Sequence, residues 1–136
     1  MKIEGGCLCG KVHYSADAEP IFVGMCHCST CQKGSGSAFN VVVALPKPAV
    51  SLHGTLATFE GRGDSGKATF RRFCPTCASP IAVEAEVMPD VLMIPAGTLN
   101  DTSWVKPTMQ IYCASAQPWV NLQGDMQRFP GMPTRG

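Results

Sequence analysis

Charge is scarce in this sequence: 15% of its 136 residues are charged, and the formal net charge is +1. There is no basic run, which removes the electrostatic footprint expected of a protein for nucleic acid or an anionic membrane surface. No apolar run is long enough to span a bilayer. The opening residues, Met1-Lys2-Ile3-Glu4-Gly5-Gly6-Cys7, contain no signal-peptide core, so the expected compartment is the cytoplasm. Thiols stay reduced there, which argues against an extracellular disulfide framework. No second domain, internal repeat or low-complexity linker is visible, and residues 1–136 read as a single domain with one modest core.

Hydrophobic residues, by contrast, make up 45% of the chain, a globular balance rather than a disordered one. The 14 Gly and 11 Pro punctuate it often and favour short strands and turns over long helices. Strands are expected at residues 11–15, 21–25, 39–45, 68–73, 81–85, 91–95 and 110–113. Residues 50–52 and 57–60 are expected to form a hairpin around His53-Gly54-Thr55, and residues 61–66 a Gly-rich turn. Ser29 is expected to cap one helical turn that Gly34 stops. Trp119–Met132 shows turn signals without a period. The fold class is therefore mostly β, built from small sheets.

Eight cysteines fall into groups: Cys7 with Cys9; Cys26, Cys28 and Cys31; Cys74 with Cys77; and Cys113 alone. Paired thiolates one or two residues apart reach the same ion from a tight turn, so Cys7, Cys9, Cys74 and Cys77 can close a tetrahedral zinc site. Such an ion would staple the start of the chain to its middle and add directly to folding stability. Cys26, Cys28 and Cys31 come from six consecutive residues and fix only one face of a metal. Zinc with an open position is a Lewis acid and acidifies what enters it. Alternatively a fourth protein ligand closes this second site, with Cys113 the main candidate and His27 the lesser one. Unligated buried thiols would be the plainest account of all eight.

Other residues have weaker claims. His27 is a candidate proton shuttle beside the second cluster, although a hydrogen bond to backbone is the commoner use of such a residue. His13 and His53 read as structural or solvated. Lys33, Arg71, Arg72 and Lys106 are cations that could hold a substrate carboxylate, with solvated surface charge the default. Phe39 and Trp119 could line a pocket, with core packing the default.

The motifs together resemble a known family. Gly6-Cys7-Leu8-Cys9-Gly10-Lys11-Val12-His13-Tyr14 is similar to its opening, and Cys26-His27-Cys28-Ser29-Thr30-Cys31-Gln32-Lys33 followed by Gly36-Ser37-Ala38-Phe39 to its second motif. Phe73-Cys74-Pro75-Thr76-Cys77-Ala78-Ser79-Pro80 is similar to its third, and Gly97-Thr98-Leu99-Asn100-Asp101 and Pro118-Trp119 fit its later positions. The family is that of the glutathione-dependent formaldehyde-activating enzymes. The resemblance implies a zinc-stapled β-tent of short antiparallel sheets. It implies a structural zinc on Cys7, Cys9, Cys74 and Cys77, and a catalytic zinc on Cys26, Cys28 and Cys31. Three positions depart from the pattern: Ala78 where Gly is usual, Ala116 where Lys is common, and Cys113 where an aliphatic residue is usual.

Two functions are expected from different classes. The first is a carbon–sulfur lyase-type enzyme that joins a glutathione-like thiol to a formaldehyde-like aldehyde, with neither nucleic acid nor membrane as a partner. The second is a zinc-stapled binding module in which both metals are structural. A redox or zinc sensor is a third, resting on the cysteines alone. Edge strands and exposed apolar residues would allow a homodimer.

Overall fold

The computed structural model describes residues 1–121 and 124–133, in two sheets and one short helix. The strands are β1 (Lys2–Gly6), β2 (His13–Asp17), β3 (Phe22–Cys26), β4 (Asn40–Pro46), β5 (Val50–His53) and β6 (Ala57–Arg62), then β7 (Ala68–Phe73), β8 (Pro80–Ala85), β9 (Met88–Pro95), β10 (Met109–Ile111) and β11 (Gln127–Arg128). The helix α1 spans Ser29–Ser35. The fold is mostly β, as expected. Residues 122 and 123 of the irregular stretch Trp119–Met132, and residues 134–136 of the expected single domain, lie outside the described residues. No helix among the described residues is long and apolar enough to cross a membrane.

The small sheet has the order β1-β2-β5 and the large one the order β11-β10-β3-β4-β9-β8-β7-β6. Most pairs are antiparallel, but β10 joins β3 in parallel and β11 joins β10 in parallel, so the large sheet is mixed. The expected hairpin around residues 53–55 does not form. β5 pairs with β2 in the small sheet, while β6 pairs with β7 at the edge of the large one. The turn signal is real, but the chain leaves one sheet there and enters the other. Gly54 has φ +105°, and a Cβ on it would lie 2.3 Å from the Lys11 carbonyl oxygen, so only glycine fits the crossing.

Period-2 alternation places the core between the sheets. Val43 and Leu45 of β4, Leu92 and Ile94 of β9 and Val23 of β3 pack with Ile3, Tyr14 and Ala16 of the small sheet. Burial of this apolar surface is the main stabilising term, about 25 cal/mol per Å². The Tyr14 hydroxyl hydrogen-bonds Thr98 Oγ1 at 2.7 Å and ties the small sheet to the residues after β9.

The helix differs slightly from expectation. Cys28, not Ser29, is its cap: Cys28 Sγ accepts from Cys31 N–H at 3.2 Å. Gly36, at φ +66°, ends it in place of Gly34.

Candidate metal centres and the adjoining cavity

The turn after β1 presents Cys7 and Cys9, and the turn after β7 presents Cys74 and Cys77. The four sulfurs lie within 4.8 Å of one another. Cys7 Sγ is 3.6 Å from Cys9 Sγ, which is 3.7 Å from Cys74 Sγ. A tetrahedron of zinc–sulfur bonds of about 2.3 Å has edges of about 3.8 Å, so the donor set fits zinc as it stands. Backbone N–H groups point at the sulfurs: Val12 N–H donates to Cys7 at 3.2 Å and Cys77 N–H to Cys74 at 3.5 Å. Hydrogen bonds from the Ser79 hydroxyl and backbone push the Cys77 thiol down to about 5. Ala78, between these residues, sits in the left-handed region at φ +65°, where glycine is normally found.

Cys26 ends β3, while Cys28 and Cys31 flank the first turn of α1. Their sulfurs also lie within 4.8 Å of one another, and no fourth Cys, His, Asp or Glu donor among the described residues joins them. Cys113 does not close this site, because its thiol turns to the Gln110 carbonyl at 3.6 Å. Hydrogen bonds from Cys26 and Cys31 push the Cys28 thiol down to about 2, with the Arg71 charge helping. The same contacts with Cys28 and Cys31 push Cys26 up.

Gln32 fastens this half of the site. Its Nε2 donates to the carbonyls of His27 (2.7 Å) and Ser115 (3.0 Å), and its Oε1 accepts from Gln117 at 2.6 Å. His27 N–H adds a bond to Ile111 O at 3.1 Å. The His27 ring is 1% exposed, packs on Phe39 and bonds Gln110 Oε1 at 3.0 Å. It lines a separate cavity of about 90 Å³, not the large one described next. Geometry thus gives His27 a role in joining α1 to β10. Gln32 and Gln110 were not singled out from sequence, because their partners lie more than eighty residues away.

The open side of the trio faces a cavity of about 460 Å³. Arg71 of β7 lines it, with Nη2 4.0 Å from Cys31 Sγ and a buried Nε that has no partner. Arg72 instead pairs with Glu84 at 2.6 Å, and Lys47 shares that carboxylate at 2.9 Å. Lys33 and Lys106 do not line the cavity. His13 and His53, both exposed, stack across β2 and β5 with centroids 5.0 Å apart. Trp119, expected to be core, is 70% exposed, because the turns around it carry it away from both sheets. Tyr112, which follows β10, and Asp64, in the turn between β6 and β7, also line the cavity. Burial and a hydrogen bond with Asp64 push the Tyr112 hydroxyl up. Because residues near opposite ends of the large sheet line one cavity, the sheet curls around it. Neither residue carries a local sequence signal; only the curl brings them together.

Comparison with known proteins agrees with this arrangement. A solved structure of a Rhodobacter sphaeroides protein from a structural genomics programme shares the fold, with a TM-score of 0.58. It is 17% identical, over 71% of this chain and 87% of that one. No curated protein matches the sequence. The sequence model for the glutathione-dependent formaldehyde-activating enzymes matches residues 2–115, which includes every cysteine of both clusters. With both clusters assembled and most of its length matched, the chain belongs to the family of the glutathione-dependent formaldehyde-activating enzymes.

Proposed function

We propose that this protein is a cytoplasmic carbon–sulfur lyase-type enzyme that joins a thiol to an aldehyde as a hydroxyalkyl thioether, and reverses that addition. The observation that carries the reading is the asymmetry of the second cluster: three sulfurs converge, no fourth donor among the described residues joins them, and the open side faces a cavity. Cys26, Cys28 and Cys31 would hold zinc there, and Cys7, Cys9, Cys74 and Cys77 a second, structural zinc. Zinc at an open site supplies a Lewis acid that lowers the pKa of an incoming thiol.

The chain's own residues do the rest. The α1 turn and the bonds of Gln32 hold the three sulfurs fixed, so little reorganisation accompanies reaction. Arg71 places a positive charge beside the cluster, where negative charge passes from sulfur to the developing alkoxide. The apolar part of the cavity wall limits water around the reacting thiol. The reaction needs no redox cofactor.

The test is Cys28→Ser. Serine keeps the helix cap, so the variant should fold with a stability within about 1 kcal/mol of the parent. It should lose one metal of two and at least 100-fold in the rate of adduct formation from glutathione and formaldehyde. A folded variant with full turnover would refute the mechanism. The binding-module reading leaned on Cys113 as the closing ligand, and the direction of its thiol gives that no support.

A further inference from the structure

Over its central strands the large sheet is apolar on both faces. One parity of its strands, Val23, Val43, Leu45, Leu92 and Ile94, packs against the small sheet. The opposite parity should be polar if it met only water, as in an ordinary half-buried antiparallel sheet. It is not. Register aligns Phe22, Ala44, Met93, Val83 and Arg71 in one row across β3, β4, β9, β8 and β7. Four of these five are apolar. Val42, one pair further along β4, extends the patch towards Cys26.

Phe22, Met93, Val83 and Arg71 of this row, with Val42, floor the cavity that the three-sulfur cluster faces, while Ala44 is fully buried between them. At about 460 Å³ the space lies within the range of sites that enclose whole organic ligands. Formaldehyde brings one carbon and no apolar surface to match Met93, Val83 and Phe22. Glutathione's charged ends match Arg62, Lys67 and Asp64 at the β6–β7 turn, but not the floor. The occupant is also constrained by shape. Tyr112 and Asp64, from opposite ends of the large sheet, both wall the cavity, so its recessed floor suits a small molecule better than a second copy of this chain.

We propose that the adduct handled by this site carries an apolar substituent of several carbons. It lies along Phe22, Met93 and Val83 while its sulfur lies at Cys26, Cys28 and Cys31. This rests on the thiol–aldehyde reading and names its substrate class. The step balances without an oxidant. The thiol gives up its proton, its sulfur forms a bond to the aldehyde carbon, and the C=O π pair moves to oxygen, which takes up a proton. The substituent belongs to either the thiol or the aldehyde, and two series separate these sources.

One series measures binding of ethanethiol, butanethiol, hexanethiol and octanethiol to the metal-loaded protein by calorimetry. The other measures kcat/KM for glutathione with formaldehyde, butanal and hexanal. Each buried methylene is worth about 0.8 kcal/mol, or about fourfold, so four methylenes should gain roughly two orders of magnitude. A climb in either series supports the proposal and shows which partner brings the chain. Val83→Asp should flatten the climb while both metals stay bound, and Val83→Thr, which keeps the shape, serves if the aspartate variant does not fold. Flat series with ethanethiol still bound would overturn the proposal and leave the thiol site standing. No binding of any thiol and no turnover in either series would remove the thiol reading, and the proposal with it. A climb that survives both variants would place the chain elsewhere and overturn it. Flat series together with a dimer that Val83→Asp dissociates would also overturn it, and would make the face an interface between copies.

Discussion

The two cysteine clusters use the same donor atom to opposite ends. In one, two turns more than sixty residues apart supply two sulfurs each, and the set is complete. In the other, one strand end and one helical turn supply three, and the set is open towards the cavity. Thiol chemistry alone does not distinguish them. The difference is topological: a site assembled from two distant turns surrounds its metal, whereas neighbouring residues approach from one side. Closure favours stability and openness favours reaction.

The most severe way to break the first site is Cys74→Ser. Structural zinc in comparable sites contributes about 10–16 kcal/mol, as much as the whole stability of most domains. The variant should lose one metal and its cooperative unfolding transition, as followed by metal analysis and circular dichroism. Acid should separate the two sites next. In the trio Cys26 and Cys31 are held above the ordinary thiol value while Cys28 falls to about 2. At the closed site Cys9 is pushed up to about 11, against the Lys11 N–H, by desolvation and its three sulfur neighbours. Cys7 is held down by the Val12 N–H despite desolvation, and Cys77 falls to about 5. Each site mixes raised and lowered thiols, so the order follows from ligand number: protons compete with metal for thiolates, and a metal held by three sulfurs should leave at a higher pH than one held by four. A chromogenic chelator monitored while pH is lowered from 7 to 4 should record two steps; one step, or the reverse order, would contradict this.

Smaller changes sharpen the contrast. Ala78→Gly should relieve a left-handed alanine beside the closed site, adding about 1 kcal/mol and raising Tm by about 2–6 °C. Unchanged Tm in a calorimetric scan would show that the turn bears no such strain. Cys113→Ser should change least. Both metals should remain by native mass spectrometry, and stability should shift by less than about 0.5 kcal/mol. Loss of the second metal would mean that Cys113 does reach the trio.

Spacing made the clusters legible, because ligands that share a turn must be close in sequence. The buried run from Phe39 to Leu45 and the alternation of residues 68–73 located β4 and β7 for the same local reason. What could not be read depends on distant partners. The crossing at Gly54 mimics a hairpin turn, since the local φ preference is the same and only the pairing differs. β1 went unrecognised because its two buried positions, Ile3 and Gly5, offer one apolar side chain between them. The cavity floor was hidden differently: its residues are scattered over five strands and align only through register. Arg71 and Arg72 are adjacent and chemically alike, yet pleating sends one to the cavity and the other to Glu84.

The staple between Cys9 and Cys74 also has a consequence for biosynthesis. A ribosome releases Cys26, Cys28 and Cys31 almost together, so the nascent chain offers a three-thiolate metal ligand while two members of the closed site are still untranslated. The four-sulfur set must wait for Cys77 and then gather a loop of more than sixty residues, an entropic cost that a bound metal would offset. During that interval the early trio is the stronger local competitor for scarce zinc. If zinc fills both sets, a scarce ion caught early near residue 28 would therefore have to move to the four-sulfur set before the first turn is joined to the middle.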